Sequence, residues 1–130
     1  MRVLSIKEPW ATLIKEKKKF IETRSWKTKY RGELYIHASL SKISKNDDHI
    51  KEVLTLIPDI NMSYGYVICK CKLVDCVYMD EKFLKEIKKN PQEYLCGEYS
   101  IGRYAWVLED IEVLEKKIPA KGRLGIWNLD

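Results

Sequence analysis

The sequence predicts an α+β domain: a small curled or closed β-barrel of about six strands, flanked by about three helices. Three observations carry that prediction. The longest strand-like run, Tyr64 to Val77, is rich in Val, Ile, Cys and Tyr. Three other stretches set apolar residues at helical spacing: Trp10, Leu13 and Ile14; Ile50, Val53, Leu54 and Ile57; and Phe83, Leu84 and Ile87. Strand-like segments beyond residue 60 then follow one another too closely for a regular strand–helix alternation. At 130 residues the chain reads as one domain over 1–130, with no internal repeat, low-complexity linker or second core. A barrel of this size holds no channel, so a ligand would sit in a cleft between sheet and helices.

The elements follow in order. Arg2 to Ile6 is a short strand, and Glu8-Pro9-Trp10 opens a helix, since proline lacks only an N–H that would be unpaired in a first turn. That helix ends in a lysine run, Lys15 to Lys19, without the glycine that commonly terminates such an element. Phe20 to Trp26 reads as extended, which places Phe20, Glu22, Arg24 and Trp26 on one face and Ile21, Thr23 and Ser25 on the other. Lys29 to Gly32 is a turn, and Glu33 to His37 a strand with Leu34 and Ile36 facing one way, Tyr35 and His37 the other. The polar run Ser41 to Asp48 leads into a helix from about Asp47 that Pro58 closes. Asp80 caps a helix through Asn90, which Asn90-Pro91 stops, and Tyr94 to Gly102 reads as irregular. Arg103 to Leu108 is a strand, Glu109-Asp110 a turn or bulge, Ile111 to Leu114 strand again, and Leu124 to Leu129 a final strand.

Composition narrows the function classes. The chain is 45% hydrophobic and 33% charged, a globular balance that argues against disorder. A net charge of +5 permits an anionic partner but is modest for a domain built only to bind phosphate. No apolar run approaches a membrane span and no signal-peptide region precedes Lys7 and Glu8, which points to a cytoplasmic protein without membrane contact. The four cysteines lack zinc spacing, and Cys69 and Cys71 are wrongly aimed for a mutual bridge, so reduced buried thiols are expected, with no metal and no cofactor.

The chemistry concentrates between Lys19 and Ser39. A carboxylate, a guanidinium and an indole on one strand face make a candidate ligand wall. Glu22 and Arg24 are close enough to pair, either as a structural ion pair or so that Arg24 presents its planar fork to phosphate or a base edge. Lys19 would add a mobile charge, and Trp26 and Tyr30 would offer stacking faces for exposed bases, with hydrophobic packing as the alternative. Arg31 at its turn and Lys121 before Gly122 are further phosphate-contact candidates. His37 is a structural residue or a base, and Trp10, Trp106 and Trp127 read mainly as core.

Several motifs together resemble one family. Leu4-Ser5-Ile6-Lys7-Glu8-Pro9-Trp10-Ala11, the pattern Lys19-x-x-Glu22-x-Arg24-x-Trp26-x-Thr28-x-Tyr30-Arg31-Gly32, Ile36-His37-Ala38-Ser39 and the C-terminal Trp106 to Glu112 and Ile118 to Trp127 resemble the ASCH (activating signal cointegrator homology) domain. The resemblance implies a PUA-like barrel whose cleft takes nucleic acid or a nucleotide, with Lys7, Lys19, Glu22, Arg24, Trp26, Tyr30, Arg31, His37, Ser39 and Lys121 as binding candidates. Two positions depart from the family pattern: Lys17 replaces a glycine, and Glu8 a common glutamine. The function expected is therefore binding of single-stranded RNA or DNA, or of a modified nucleotide. The alternative is a hydrolase, an acetylcytidine amidohydrolase or a ribonuclease-like enzyme, using Lys19 and Glu22 as catalytic groups in the same cleft. In the amidohydrolase branch a threonine nucleophile occupies the position of Glu22, and a nuclease would ask Glu22 to join Glu109 or Asp110 around a metal.

Overall fold

The strands are β1 (Arg2–Ile6), β2 (Ile21–Arg24), β3 (Gly32–Ala38), β4 (Tyr66–Tyr78), β5 (Tyr104–Pro119) and β6 (Ile126–Asn128). They form one mixed sheet in the order β2-β5-β4-β3-β1-β6, in which β1 and β3 run parallel and the other neighbours antiparallel. A computed structural model describes residues 1–44 and 46–130, so Lys45, inside the polar run read from sequence, lies outside the described residues. Helices α1 (Trp10–Lys15), α2 (Asp48–Leu54), α3 (Glu81–Ile87) and α4 (Pro91–Leu95) complete an α+β fold whose sheet is a half-barrel of PUA-like kind.

Apolar residues of β1, β3, β4 and β5 fill the inside of the curl, among them Leu4, Ile36, Cys69, Trp106 and Leu108. A second cluster joins Leu13 of α1 to Val53, Ile57 and Cys96, which ties α1 and α2 to the segment after α4. Glu109-Asp110 forms a bulge within one continuous strand: Asp110 takes φ 53° and the pairing of β4 with β5 slips between Lys70 and Lys72. Lys70 and Lys72, which interrupt a face of β4, meet carboxylates there: Glu33 and Glu112 for the first, Asp110 for the second.

The helix caps follow the sequence. Asp47 accepts from the N–H groups of His49 and Ile50, and Asp80 accepts from Phe83 N–H. The helix expected to run through Asn90 ends earlier, at Ile87, and Asn90-Pro91 opens another helix, α4, in the stretch read from sequence as helix stop and irregular segment. Asn90 accepts from Glu93 N–H and Pro91 occupies the first turn of α4. At the end of α1, Lys17 adopts φ 60°, the left-handed conformation a glycine would take. Lys17 N–H bonds to Ile14 C=O at 3.0 Å and Lys18 N–H to Leu13 C=O at 2.9 Å, a complete Schellman pair. The turn expected of a glycine is thus formed by a lysine, at the cost of backbone strain.

All four cysteines are free. Burial pushes the thiols of Cys69, Cys71 and Cys96 up, to about 12 for Cys71 and about 11 for Cys96, so they are poor nucleophiles. No helix among the described residues is long and apolar enough to cross a membrane.

Candidate functional site

A cleft of about 900 Å³ opens where the C-terminal ends of β1 and β3 meet β2, α1 and the loops after α4 and β5. Among the described residues, six cationic side chains line it, Lys7, Lys19, Arg24, Arg103, Lys121 and Arg123, against two carboxylates, Glu22 and Glu98. Trp10 and the exposed His49, whose rings lie 5.7 Å apart, supply its aromatic wall.

The expected ion pair exists and is anchored. Both Arg24 Nε (3.0 Å) and Nη2 (2.9 Å) reach Glu22 Oε2, and Nη2 also donates to the Ser5 carbonyl at 3.0 Å. Arg24 therefore bridges β2 to β1 across the mouth of the half-barrel. Glu22 is almost fully buried, and Lys19 Nζ stands 3.7 Å from its Oε1.

Lys19 differs from its expected role. It is only 1% exposed and donates to the carbonyls of Ile21 and Cys96, so its ammonium is fixed rather than mobile. Lys17 and Lys18 are solvated, while Lys19, two residues past the left-handed turn at Lys17, is turned inward.

A second buried carboxylate, outside the cleft lining, braces the start of β2. Glu93 accepts from the N–H groups of Phe20 (2.8 Å) and Ile21 (3.2 Å), closing the start of β2 against α4. Burial raises its carboxyl above 4.5 more strongly than those two N–H groups and the Lys19 charge hold it down. Sequence spacing carries no signal for Glu93, because α4 itself was not anticipated. Glu8, the other departure from the family pattern, lies outside the cleft lining and accepts from Thr12 N–H (2.8 Å) and from the Thr12 hydroxyl, satisfying a first-turn N–H of α1.

His37 is buried in a closed relay. Its Nε2 lies 2.8 Å from the Ala120 carbonyl and its Nδ1 3.0 Å from Ser5 Oγ, which also accepts from Trp127 Nε1 at 3.0 Å. The tautomer with its proton on Nε2 satisfies every partner, because a carbonyl only accepts and the Ser5 hydroxyl can then donate to Nδ1. A Cβ on Gly122 would stand 2.8 Å from Ser5 Oγ, so the loop after β5 lies flush on this relay.

Of the residues singled out in the sequence, Lys7, Lys19, Glu22, Arg24, His37, Ser39 and Lys121 share the cleft. Trp26, Tyr30 and Arg31 fall outside its lining. Trp26 packs edge-on against Trp106, with ring centroids 4.7 Å apart; Tyr30 lies under Arg2; and Arg31 pairs with Asp75 at 3.9 Å. Period-two alternation places Trp26 beside Arg24, but β2 ends at Arg24 and the alternation ends with it. Trp10, read as core from its helical stripe, packs against both the barrel core and the α1–α2 cluster and also faces the cleft. Glu109 and Asp110 are exposed and outside the cleft lining, so they do not join Glu22 there.

These positions can be set against known proteins. The family model described as the ASCH domain matches residues 4–118. The chain belongs to the ASCH domain family. This ASCH domain is 27% identical to the human protein named Activating signal cointegrator 1, over an alignment of 134 residues covering 98% of this chain. It is 26% identical to the mouse protein of the same name. The chain spans only 22% of the length of either relative. The matched span takes in Lys19, Glu22, Arg24 and His37 but stops before the Lys121–Gly125 segment of the cleft.

Proposed function

We propose that this ASCH domain binds nucleic acid, as an unpaired RNA or DNA strand or a nucleotide, in the cleft between half-barrel and helices. The observation that carries the reading is the convergence of six cations and the Trp10–His49 wall on one open cleft. Its volume of about 900 Å³ suits one or two nucleotides and is too small to enclose a duplex. Arg24 is the centre of the site: Glu22 and the Ser5 carbonyl hold its plane, while Nη1 has no protein partner among the described residues and is available to phosphate or a base edge.

The hydrolytic reading receives less support from this geometry. The Lys19 ammonium is committed to two carbonyls, and one oxygen of Glu22 takes two donors from Arg24. For proton transfer this leaves Glu22 Oε1, which faces the Lys19 ammonium at 3.7 Å.

The test is fluorescence anisotropy with labelled single-stranded RNA and DNA oligomers across a salt series. Affinity falls as salt rises, and Lys7→Ala with Lys121→Ala lowers the log–log slope by about 1.4, roughly 0.7 for each phosphate no longer neutralised. Arg24→Ala weakens binding, whereas Tyr30→Ala, outside the cleft, leaves it near wild type. An affinity that stays flat with salt refutes the reading.

A further inference from the structure

The segment Lys121–Gly125 lines the cleft with five consecutive residues, and its architecture is uneven. Its base is pinned: the Ala120 carbonyl is held by His37 Nε2, Ala120 N–H bonds to Gly65 C=O at 2.9 Å, and Gly122 lies against Ser5 and His37. Its tip is free. Lys121 and Arg123 are exposed and form no ion pair among the described residues, and Leu124 is 98% exposed. Leu40, 59% exposed, is a second leucine on the same cleft.

A lone exposed leucine is ordinary. Here it stands at a cleft mouth, between two unpaired cations and a left-handed Gly125, on a segment whose start is rigidly seated. A partner that covers Leu124 while neutralising Lys121 and Arg123 carries an apolar face and an anionic group side by side. A nucleotide has both, a base plane and a phosphate. Base pairing and stacking hide that plane, so an apolar contact of this kind discriminates in favour of unpaired residues.

Building on the nucleic-acid reading above, we propose that Leu124 is a specificity-determining residue of the cleft. It packs on the face of an unpaired base whose phosphate is held by Lys121 and Arg123. The segment thereby reads the presence of an exposed base as well as charge, and the cleft prefers single strands over duplexes and over a bare sugar–phosphate backbone.

The experiment compares the full chain with Leu124→Ser and with Lys121→Ala/Arg123→Ala. The probes are a labelled single-stranded hexanucleotide, an abasic hexamer with the same phosphates, and a duplex, each titrated across a salt series. Leu124→Ser weakens binding of the normal hexamer about tenfold, leaves its salt slope unchanged, and alters abasic binding less than twofold. The double alanine variant weakens normal and abasic strands alike and lowers the slope by about 1.4. Because Leu124 is almost fully exposed in the free protein, its serine variant retains the fold, which a thermal melt checks. Equal losses on normal and abasic strands, or no loss on either, overturn the proposal; the latter is the outcome if Leu124 docks a protein instead. In those cases salt-dependent binding by the wild type still upholds the general nucleic-acid reading, whereas no binding of any probe by the wild type sinks both.

Discussion

Replacing Lys19 by methionine separates a structural keystone from a binding charge. The substitution keeps the length of the side chain and removes the ammonium from a site that is 1% exposed. It leaves the Ile21 and Cys96 carbonyls without that donor and withdraws the charge that faces Glu22 Oε1 at 3.7 Å. Each orphaned buried acceptor costs about 1–3 kcal/mol, and breaking a buried pair from one side costs about 3–5 kcal/mol. These terms overlap, so the expected loss is about 4 kcal/mol, a large share of a domain stability of about 5–15 kcal/mol. In urea unfolding, with a slope of about 2 kcal/mol per molar, the midpoint falls by about 2 M. Lys19→Met/Glu22→Gln loses less than the two single variants added together, because the carboxylate no longer lacks its partner. A change in stability of less than about 1 kcal/mol together with loss of oligonucleotide binding is instead the pattern of a freely moving ligand contact, and would refute a structural role for Lys19.

Three further outcomes follow from the same structure. Lys17→Gly relieves left-handed strain of about 1–2 kcal/mol while adding about 0.5–1 kcal/mol of unfolded-chain entropy. The net is a gain of up to about 1 kcal/mol, read as a melting temperature a few degrees higher; a fall contradicts the Schellman assignment. Glu93 has its carboxyl raised above 4.5 in the fold, so the folded state holds that proton more tightly than the unfolded state does. Its contribution is therefore most favourable below about pH 4.5 and is lost as pH rises through the folded value. The stability difference between wild type and Glu93→Gln, followed by urea unfolding from about pH 4 to about pH 7, shifts against the wild type; a shift in its favour refutes the sign. Finally, brief iodoacetamide treatment of the native protein labels Cys76, the one half-buried cysteine, and spares the buried Cys69, Cys71 and Cys96, as peptide mass spectrometry would show.

Much of the architecture was legible because periodicity is a local signal. The stripes at Trp10–Ile14 and Ile50–Ile57 and the run Tyr64–Val77 each declare an element within their own window. The Glu22–Arg24 pairing was legible for the same reason, being two residues apart on one strand. What depended on distant chain was not. Lys19 finds Cys96, 77 residues away, and Phe20 finds Glu93, 73 residues away, through a helix that begins where a proline was expected to end one. Trp10 shows the limit of a helical stripe: spacing identifies the inward face of α1 but cannot tell core from cleft wall, since both are covered by protein on one side. The aromatic residues Trp26 and Tyr30 shared a motif with Arg24, yet beyond the last residue of β2 the chain turns away from the cleft, and motif membership did not translate into a shared surface.

Photocrosslinking shows directly where a bound strand sits. A single-stranded RNA carrying 4-thiouridine is bound at low salt, irradiated and digested, and the adducts are mapped by mass spectrometry. Adducts at Trp10, His49 and the Lys121–Gly125 segment are the predicted result, reduced by Arg24→Ala in step with affinity. Adducts concentrated at Trp26, Tyr30 and Arg31, with the cleft unlabelled, would contradict it.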